Sequence, residues 1–211
     1  LPCTEATRLL GATHDFDPAL GGWAPRIDPD QRTNLPLLYA AGDGAGVLGA
    51  EAAPLLGRLA ALAALHDLGR LDRAGWQSAA APLHRQRARA SRFGRAMATL
   101  VQPTARTMAL VTPETIVCRC EGVVRARLDE AIEAGAVTMN DLKAATRCGM
   151  GPCGGRVCAD AAATLIAAGT GRPRATIAEP TARPPLRPVP FAALAGDFQY
   201  DDLPIPAPAP L

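Results

Sequence analysis

Residues 146–158 read TRCGMGPCGGRVC, placing three cysteines and five glycines or prolines in thirteen positions. Upstream, residues 117–122 read VCRCEG. Together they give C-x-C, a 27-residue gap and C-x4-C, formed by Cys118, Cys120, Cys148 and Cys153. Thiolates are soft ligands that select zinc or iron–sulfur clusters. Structural zinc sites favour C-x2–4-C knuckles, so C-x-C is tight for one tetrahedral ion. A [2Fe–2S] cluster takes four cysteine thiolates. Gly149, Gly151, Gly154 and Gly155 let the backbone come close and aim N–H groups at the sulfurs. Iron–sulfur, zinc, a redox disulfide and unliganded core thiols all stay open for this spacing. Cys158, two residues into an expected helix, reads as a core thiol, and Cys3 as a small core residue.

The totals narrow the setting. A chain of 211 residues with 48% hydrophobic content can build one or two cores. With 22 basic against 20 acidic residues, charge gives no argument for nucleic acid or a membrane surface. No apolar run reaches the ~18 residues of a membrane span. The opening LPCTEATRLLGATHDFD lacks a charged region followed by an apolar one, which argues against a signal peptide. Five of six cysteines crowd into residues 118–158, which suits a metal centre in a reducing cytoplasm better than a disulfide framework.

The pattern along the chain divides it into four stretches: 1–75, 76–112, 113–171 and 172–211. TEATRLLGA reads as a short helix. Leu37–Ala41, apolar and bounded by glycine, reads as a strand buried on both faces. Ala50 to about Leu68 reads as a buried helix. Residues 76–100 read as a helix with Arg85, Arg89 and Arg92 on one face; this is a solvated face or a dock for an acidic partner. A linker follows. Val124, Leu128, Ala131 and Ile132 mark an inward helix face stopped by Gly135. Thr138 and Asp141 form a capping-box pattern for the next helix. A third helix is expected from about Arg156 to Ala168, ending at Gly169. Beyond Arg172 the chain reads as an extended Pro-rich tail with FAALAG as its helical turn.

CRCEGV with GAVTMNDLKAATRCGMGPCGGRVC resembles the bacterioferritin-associated-ferredoxin-like [2Fe–2S] domain over about residues 114–171. The resemblance implies a small helical fold whose cluster sits on Cys118, Cys120, Cys148 and Cys153. TRCGMGPCGGRVC and the terminal RPPLRPVPFAALAG further resemble one branch, the alpha subunits of octopine and nopaline oxidases, D-hydroxyproline dehydrogenase and the B subunit of hydrogen cyanide synthase.

TNLPLLYAAGD, residues 33–43, resembles the second FAD fingerprint of flavoproteins with two dinucleotide-binding domains. Gly42, Asp43, Gly44 and Gly49 are then the candidate FAD residues: glycine lets the cofactor approach, and Asp43 accepts from ribityl hydroxyls. GGWAPRID and GAGVLGAEAAPLLGRLAA match the same branch. The departure is the absence of an early G-x-G-x-x-G, which FAD binding needs. The chain is therefore expected to be an α/β fragment, the C-terminal strand and helix of an FAD-binding Rossmann-like domain, followed by a small all-α [2Fe–2S] domain and a Pro-rich tail. The missing initiator Met fits a piece of a longer protein whose upstream part would be needed to hold FAD. The implied role is electron transfer in a heteromeric amino-acid or opine dehydrogenase. The implied partners are a beta subunit carrying its own flavin and a small ferredoxin-like subunit. No general base or nucleophile stands out; His14, His66 and His84 are scattered. The rival reading is a stand-alone iron–sulfur carrier.

Overall fold

The computed structural model describes residues 2–101, 107 and 109–197. Parts of the expected linker and the end of the Pro-rich tail lie outside the described residues. Among the described residues the architecture is mixed α/β, mostly helical with two small sheets.

The first unit opens with α1 (Glu5–Leu9). An antiparallel hairpin follows, β1 (His14–Asp17) and β2 (Gly22–Pro25), registered from His14↔Pro25 to Asp17↔Gly22. Its turn is stabilised by the Asp17 carboxylate, which accepts from the Ala19 N–H at 2.8 Å. Phe16 and Trp23 meet edge to face across it, with centroids 5.8 Å apart.

The strand expected at Leu37–Ala41 is not formed. Arg32 and Tyr39 share a single antiparallel bridge, and Leu37 has φ 58 and is 62% exposed. The cause is local. Pro36 offers no N–H, and the Thr33 hydroxyl accepts from Leu35 N–H at 3.1 Å while donating to the Leu38 carbonyl at 2.9 Å. These bonds fold the apolar run back on itself.

Helices α2 (Ala52–Asp67) and α3 (Arg73–Leu100) pack as a helical hairpin around Leu59, Ala80 and Leu83. Asp72 caps α3 by accepting from Gly75 N–H at 2.8 Å. The fold-back at 32–39 is pinned to the end of α2. Arg32 grips Asp67 in a fork, at 2.7 and 2.8 Å, and the Tyr39 hydroxyl donates to the same carboxylate at 2.6 Å. The Arg32 guanidinium and then the Tyr39 hydroxyl hold the Asp67 carboxyl at about 2, below its ordinary 3.8. A depressed carboxylate stabilises the fold fully above its unfolded value and loses that contribution as pH falls through about 2. Thermal melts across this acid range should therefore decline in the wild type. Asp67→Asn should melt lower at neutral pH and show a smaller acid decline. Equal declines in both would reject this role.

The second unit begins with a two-stranded ribbon, β3 (Ile116–Cys118) and β4 (Val123–Val124), with an irregular register between Ile116 and Cys118. Helices α4 (Arg125–Glu133), α5 (Met139–Thr146) and α6 (Ala159–Thr170) enclose Leu128, Ile132, Met139, Leu142 and Ile166. The capping box on α5 is present: Thr138 Oγ1 accepts from Asp141 N–H, and the Asp141 carboxylate accepts from Thr138 N–H. Helix α6 starts three residues later than expected and runs past Gly169 to a left-handed Gly171. Gly154 and Gly155, both at positive φ, belong to the run of turns that precedes it. Gly169 is a packing glycine, because a Cβ there would come within 2.8 Å of Ile132.

The Pro-rich segment is more than an extended tail. Ile177 is buried in the second core, and its carbonyl accepts from Trp23 Nε1 at 3.0 Å. Glu179 takes the Thr4 hydroxyl at 2.9 Å and pairs with Arg8. Arg174 lies over the Phe16 ring and pairs with Asp160 at 2.9 Å. Residues 174–181 thus strap the two units together, ahead of a short helix α7 (Phe191–Ala195) on the FAALAG stretch.

Candidate metal centre

Two loops bring the thiols together. Cys118 ends β3, and Cys120 lies on the turn from β3 to β4, which Gly122 closes with φ 65. Cys148 follows α5, whose C-terminal cap Arg147 is left-handed at φ 64. Arg147 Nε reaches back to Glu121 at 2.8 Å and ties the two loops to each other. Gly151 then passes against Cys120 so closely that a Cβ would collide with the cysteine's own Cβ.

The sulfurs form two groups. Those of Cys118, Cys148 and Cys158 are buried and lie within 4.8 Å of one another. Cys120 is exposed and Cys153 is half-buried, nearer the surface. The Cys120 thiol is raised above its ordinary value, chiefly by its interaction with the Cys153 thiol. Burial would raise Cys153 too, but N–H groups of Val157 and Gly155 and the Cys120 thiol outweigh it and hold Cys153 below the usual range. The Cys158 thiol is raised above its ordinary value by the neighbouring Cys148 thiol and by burial.

Of the four sequence-predicted ligands, Cys118 and Cys148 meet in a buried trio whose third member is Cys158, while Cys120 and Cys153 lie outside that trio and nearer the surface. Cys158 does not pack apart from the site. A signal for it exists: Cys148-x4-Cys153-x4-Cys158 repeats one spacing, and the second half falls on the delayed helix start. Cys3, in contrast, is exposed rather than part of a core.

The donor set fits a thiolate-bound cluster. It is all sulfur, Cys118, Cys148 and Cys158 are buried, and a glycine clears the space beside Cys120.

The flavin-fingerprint residues sit on a different loop. Gly42–Gly44 form a 3-10 turn with Gly42 at φ 64, and Gly49, at φ 93, accepts the first N–H bonds of α2 through its carbonyl. Asp43 is exposed. The two places are physically connected. The Asp43 carbonyl accepts from Cys3 N–H at 2.9 Å. Two residues on, Glu5 pairs with Arg156 Nε at 2.7 Å, and Arg156 donates to the Cys153 carbonyl at 2.5 Å. The three histidines have structural duties: His14 bonds Thr7, His66 stacks on Trp76, and His84 pairs with Asp30.

Residues 116–168 match the family of the BFD-like [2Fe-2S] binding domain. Across 92% of its length, the chain is 38% identical to the A subunit of opine oxidase from Agrobacterium tumefaciens (strain Ach5), covering 39% of that protein. It is 34% identical, again over 92% of the chain, to the HcnB subunit of hydrogen cyanide synthase from Pseudomonas aeruginosa, covering 41% of it. Among solved structures, L-proline dehydrogenase from P. horikoshii shares the fold over 87% of this chain and 35% of its own, with TM-score 0.69 and 22% identity. The chain thus carries a BFD-like domain, is similar to oxidoreductase subunits, and spans about two fifths of the length of these curated relatives. Among the described residues, no helix is long and apolar enough to cross a membrane.

Proposed function

We propose that this chain is the electron-transfer portion of a flavin- and [2Fe–2S]-dependent oxidoreductase acting on amino acids or opines with partner subunits. The observation that carries this reading is the buried trio of Cys118, Cys148 and Cys158, with Cys120 and Cys153 on the same two loops, inside the stretch that matches the BFD-like domain. A bound [2Fe–2S] cluster supplies a one-electron carrier. The chain's own residues set its surroundings. Cys120 and Cys153 form the outer pair of ligands, and Gly155 and Val157 N–H groups stabilise the Cys153 sulfur. Cys118 and Cys148 form the inner pair. Cys158 is a second candidate for the Cys148 position, because its sulfur too lies within 4.8 Å of that of Cys118.

Gly42, Asp43, Gly44 and Gly49 are the proposed FAD contacts. The Asp43–Cys3 and Glu5–Arg156 links keep that loop in register with the cysteines. The proposed partners are a beta subunit with its own flavin, where substrate is oxidised, and a small ferredoxin-like subunit. The fingerprint loop, joined to the cysteine loop through these links, favours this reading over a stand-alone iron–sulfur carrier.

Metal and sulfide analysis of anaerobically purified protein tests the cluster. About two irons and two labile sulfides per chain are expected for a cluster on four thiolates. One zinc without sulfide would overturn it. Cys148→Ala and Cys158→Ala assign the inner ligand. Loss of iron in the first alone supports Cys118 with Cys148, and loss in the second alone moves the ligand to Cys158. Full iron in both variants and in the Cys148→Ala, Cys158→Ala double variant would reject the inner pair altogether.

A further inference from the structure

The cysteine site has one open side. Cys118, Cys148 and Cys158 are buried, whereas Cys120 is exposed. Gly151 presses against the Cys120 side chain, so its neighbours Met150 and Pro152 flank that thiol. Met150 is 44% exposed, and Pro152 is exposed as well. The Met150 N–H donates to the Arg147 carbonyl at 3.0 Å, which keeps Arg147 beside it. Arg119 precedes Cys120 on the β3–β4 turn and is exposed.

The charge on this side has one sign. Residues 117–122 and 146–158 hold Arg119, Arg147 and Arg156 against one acid, Glu121. The Glu121 side chain is 18% exposed and is taken up by Arg147, whose own side chain is 68% exposed. Arg156 is paired with Glu5. Arg119 has no carboxylate partner among the described residues. The links from Asp43 through Cys3, Glu5 and Arg156 lead to the Cys153 carbonyl and leave Cys120 uncovered. Electron transfer between two centres falls steeply with distance. A carrier that exchanges electrons with this site must therefore approach where a thiol reaches the surface, and opposite charge steers that approach.

We infer that the Cys120 edge is the dock for a small electron-carrier protein with an acidic surface, of the ferredoxin-like class. This rests on the cluster reading above and adds where that partner sits. Arg119 and Arg147 face its carboxylates, and Met150 and Pro152 form the apolar centre of the contact. A second copy of this chain would set Arg119 against like charge and does not fit. Electron-transfer encounters bury little area and are weak, so the complex is transient and salt-sensitive.

Calorimetric titration of the iron-loaded full chain tests the dock, with a plant-type [2Fe–2S] ferredoxin as the acidic probe and cytochrome c as a basic one. Saturable binding of the ferredoxin that weakens with added salt is expected, and none of cytochrome c. Arg119→Glu should weaken it about tenfold, and Met150→Ser a few-fold. Arg85→Glu makes the same charge change on α3 and should have little effect. Iron content and thermal melts establish that each variant is loaded and folded; if Arg119→Glu loses its iron, Met150→Ser decides alone. No ferredoxin binding by the loaded chain, binding that survives both substitutions at the edge, loss on Arg85→Glu instead, or binding of cytochrome c in place of ferredoxin would each overturn the dock and leave the cluster reading standing. A chain that purifies without iron and sulfide removes the reading on which the dock rests.

Discussion

Gly151→Ala is expected to lose most of its iron and labile sulfide while keeping its helices. Gly151 does not occupy the left-handed region, so alanine meets no backbone strain there. The obstacle is space. An added Cβ would overlap the Cys120 Cβ and come within 3.3 Å of its sulfur. Cys120 stands on a two-strand turn that Arg147 holds to the cysteine loop through Glu121, so it has little room to retreat. Displacing its sulfur breaks the outer pair with Cys153. Helices α4, α5 and α6 pack through Leu128, Leu142 and Ile166, away from this contact, so circular dichroism should change little. Iron and sulfide at wild-type levels in a folded variant would show that the Cys120 sulfur is not a ligand.

Gly94→Ala should lower the thermal stability of the first unit sharply. Gly94 lies where α3 crosses the loop before α2, and an added Cβ would run into the Leu48 backbone, which cannot rotate away as a side chain can. Overpacking of this kind costs about 1–3 kcal/mol, and more where backbone must move. At roughly 4–8 °C per kcal/mol for a unit of this size, a fall of about 5–20 °C is expected. Gly57→Ala is the opposing control. Gly57 is exposed inside α2 with nothing within 4 Å of its Cβ position. Alanine there should raise stability by up to about 1 kcal/mol. If both substitutions move the melting temperature the same way, the packing account of Gly94 is wrong.

Legibility varies with how local the determinants are. The capping box on α5 needs only Thr138 and the N3 residue Asp141, which reach each other within one helical turn, so the sequence displays it. The apolar pattern of Leu37–Ala41 points to a strand only while Pro36 and the Thr33 hydroxyl are left out, and these close a turn first. Gly169 resembles a helix stop because the reason for it, Ile132, lies on another helix. Cys158 reads as a core thiol and is one, 2% exposed, but its approach to Cys118 and Cys148 depends on elements far away along the chain.

The chemistry of the centre belongs to the sequence itself: a cluster of cysteines and glycines with this spacing leaves few ligands other than soft metals, whatever the fold. Which thiols meet was decided by tertiary structure, since residues 118, 148 and 158 come together only when the ribbon, α5 and α6 share one core. The same holds for the strap. A Pro-rich composition specifies little beyond extended backbone, whereas burial of Ile177 and the pairing of Glu179 with Arg8 depend on surfaces supplied by two separate units. Local propensity acts over a few residues. The strap's burial and close approach depend on partners far away along the chain, Trp23 and Arg8 among them, and no pattern in the segment alone records them.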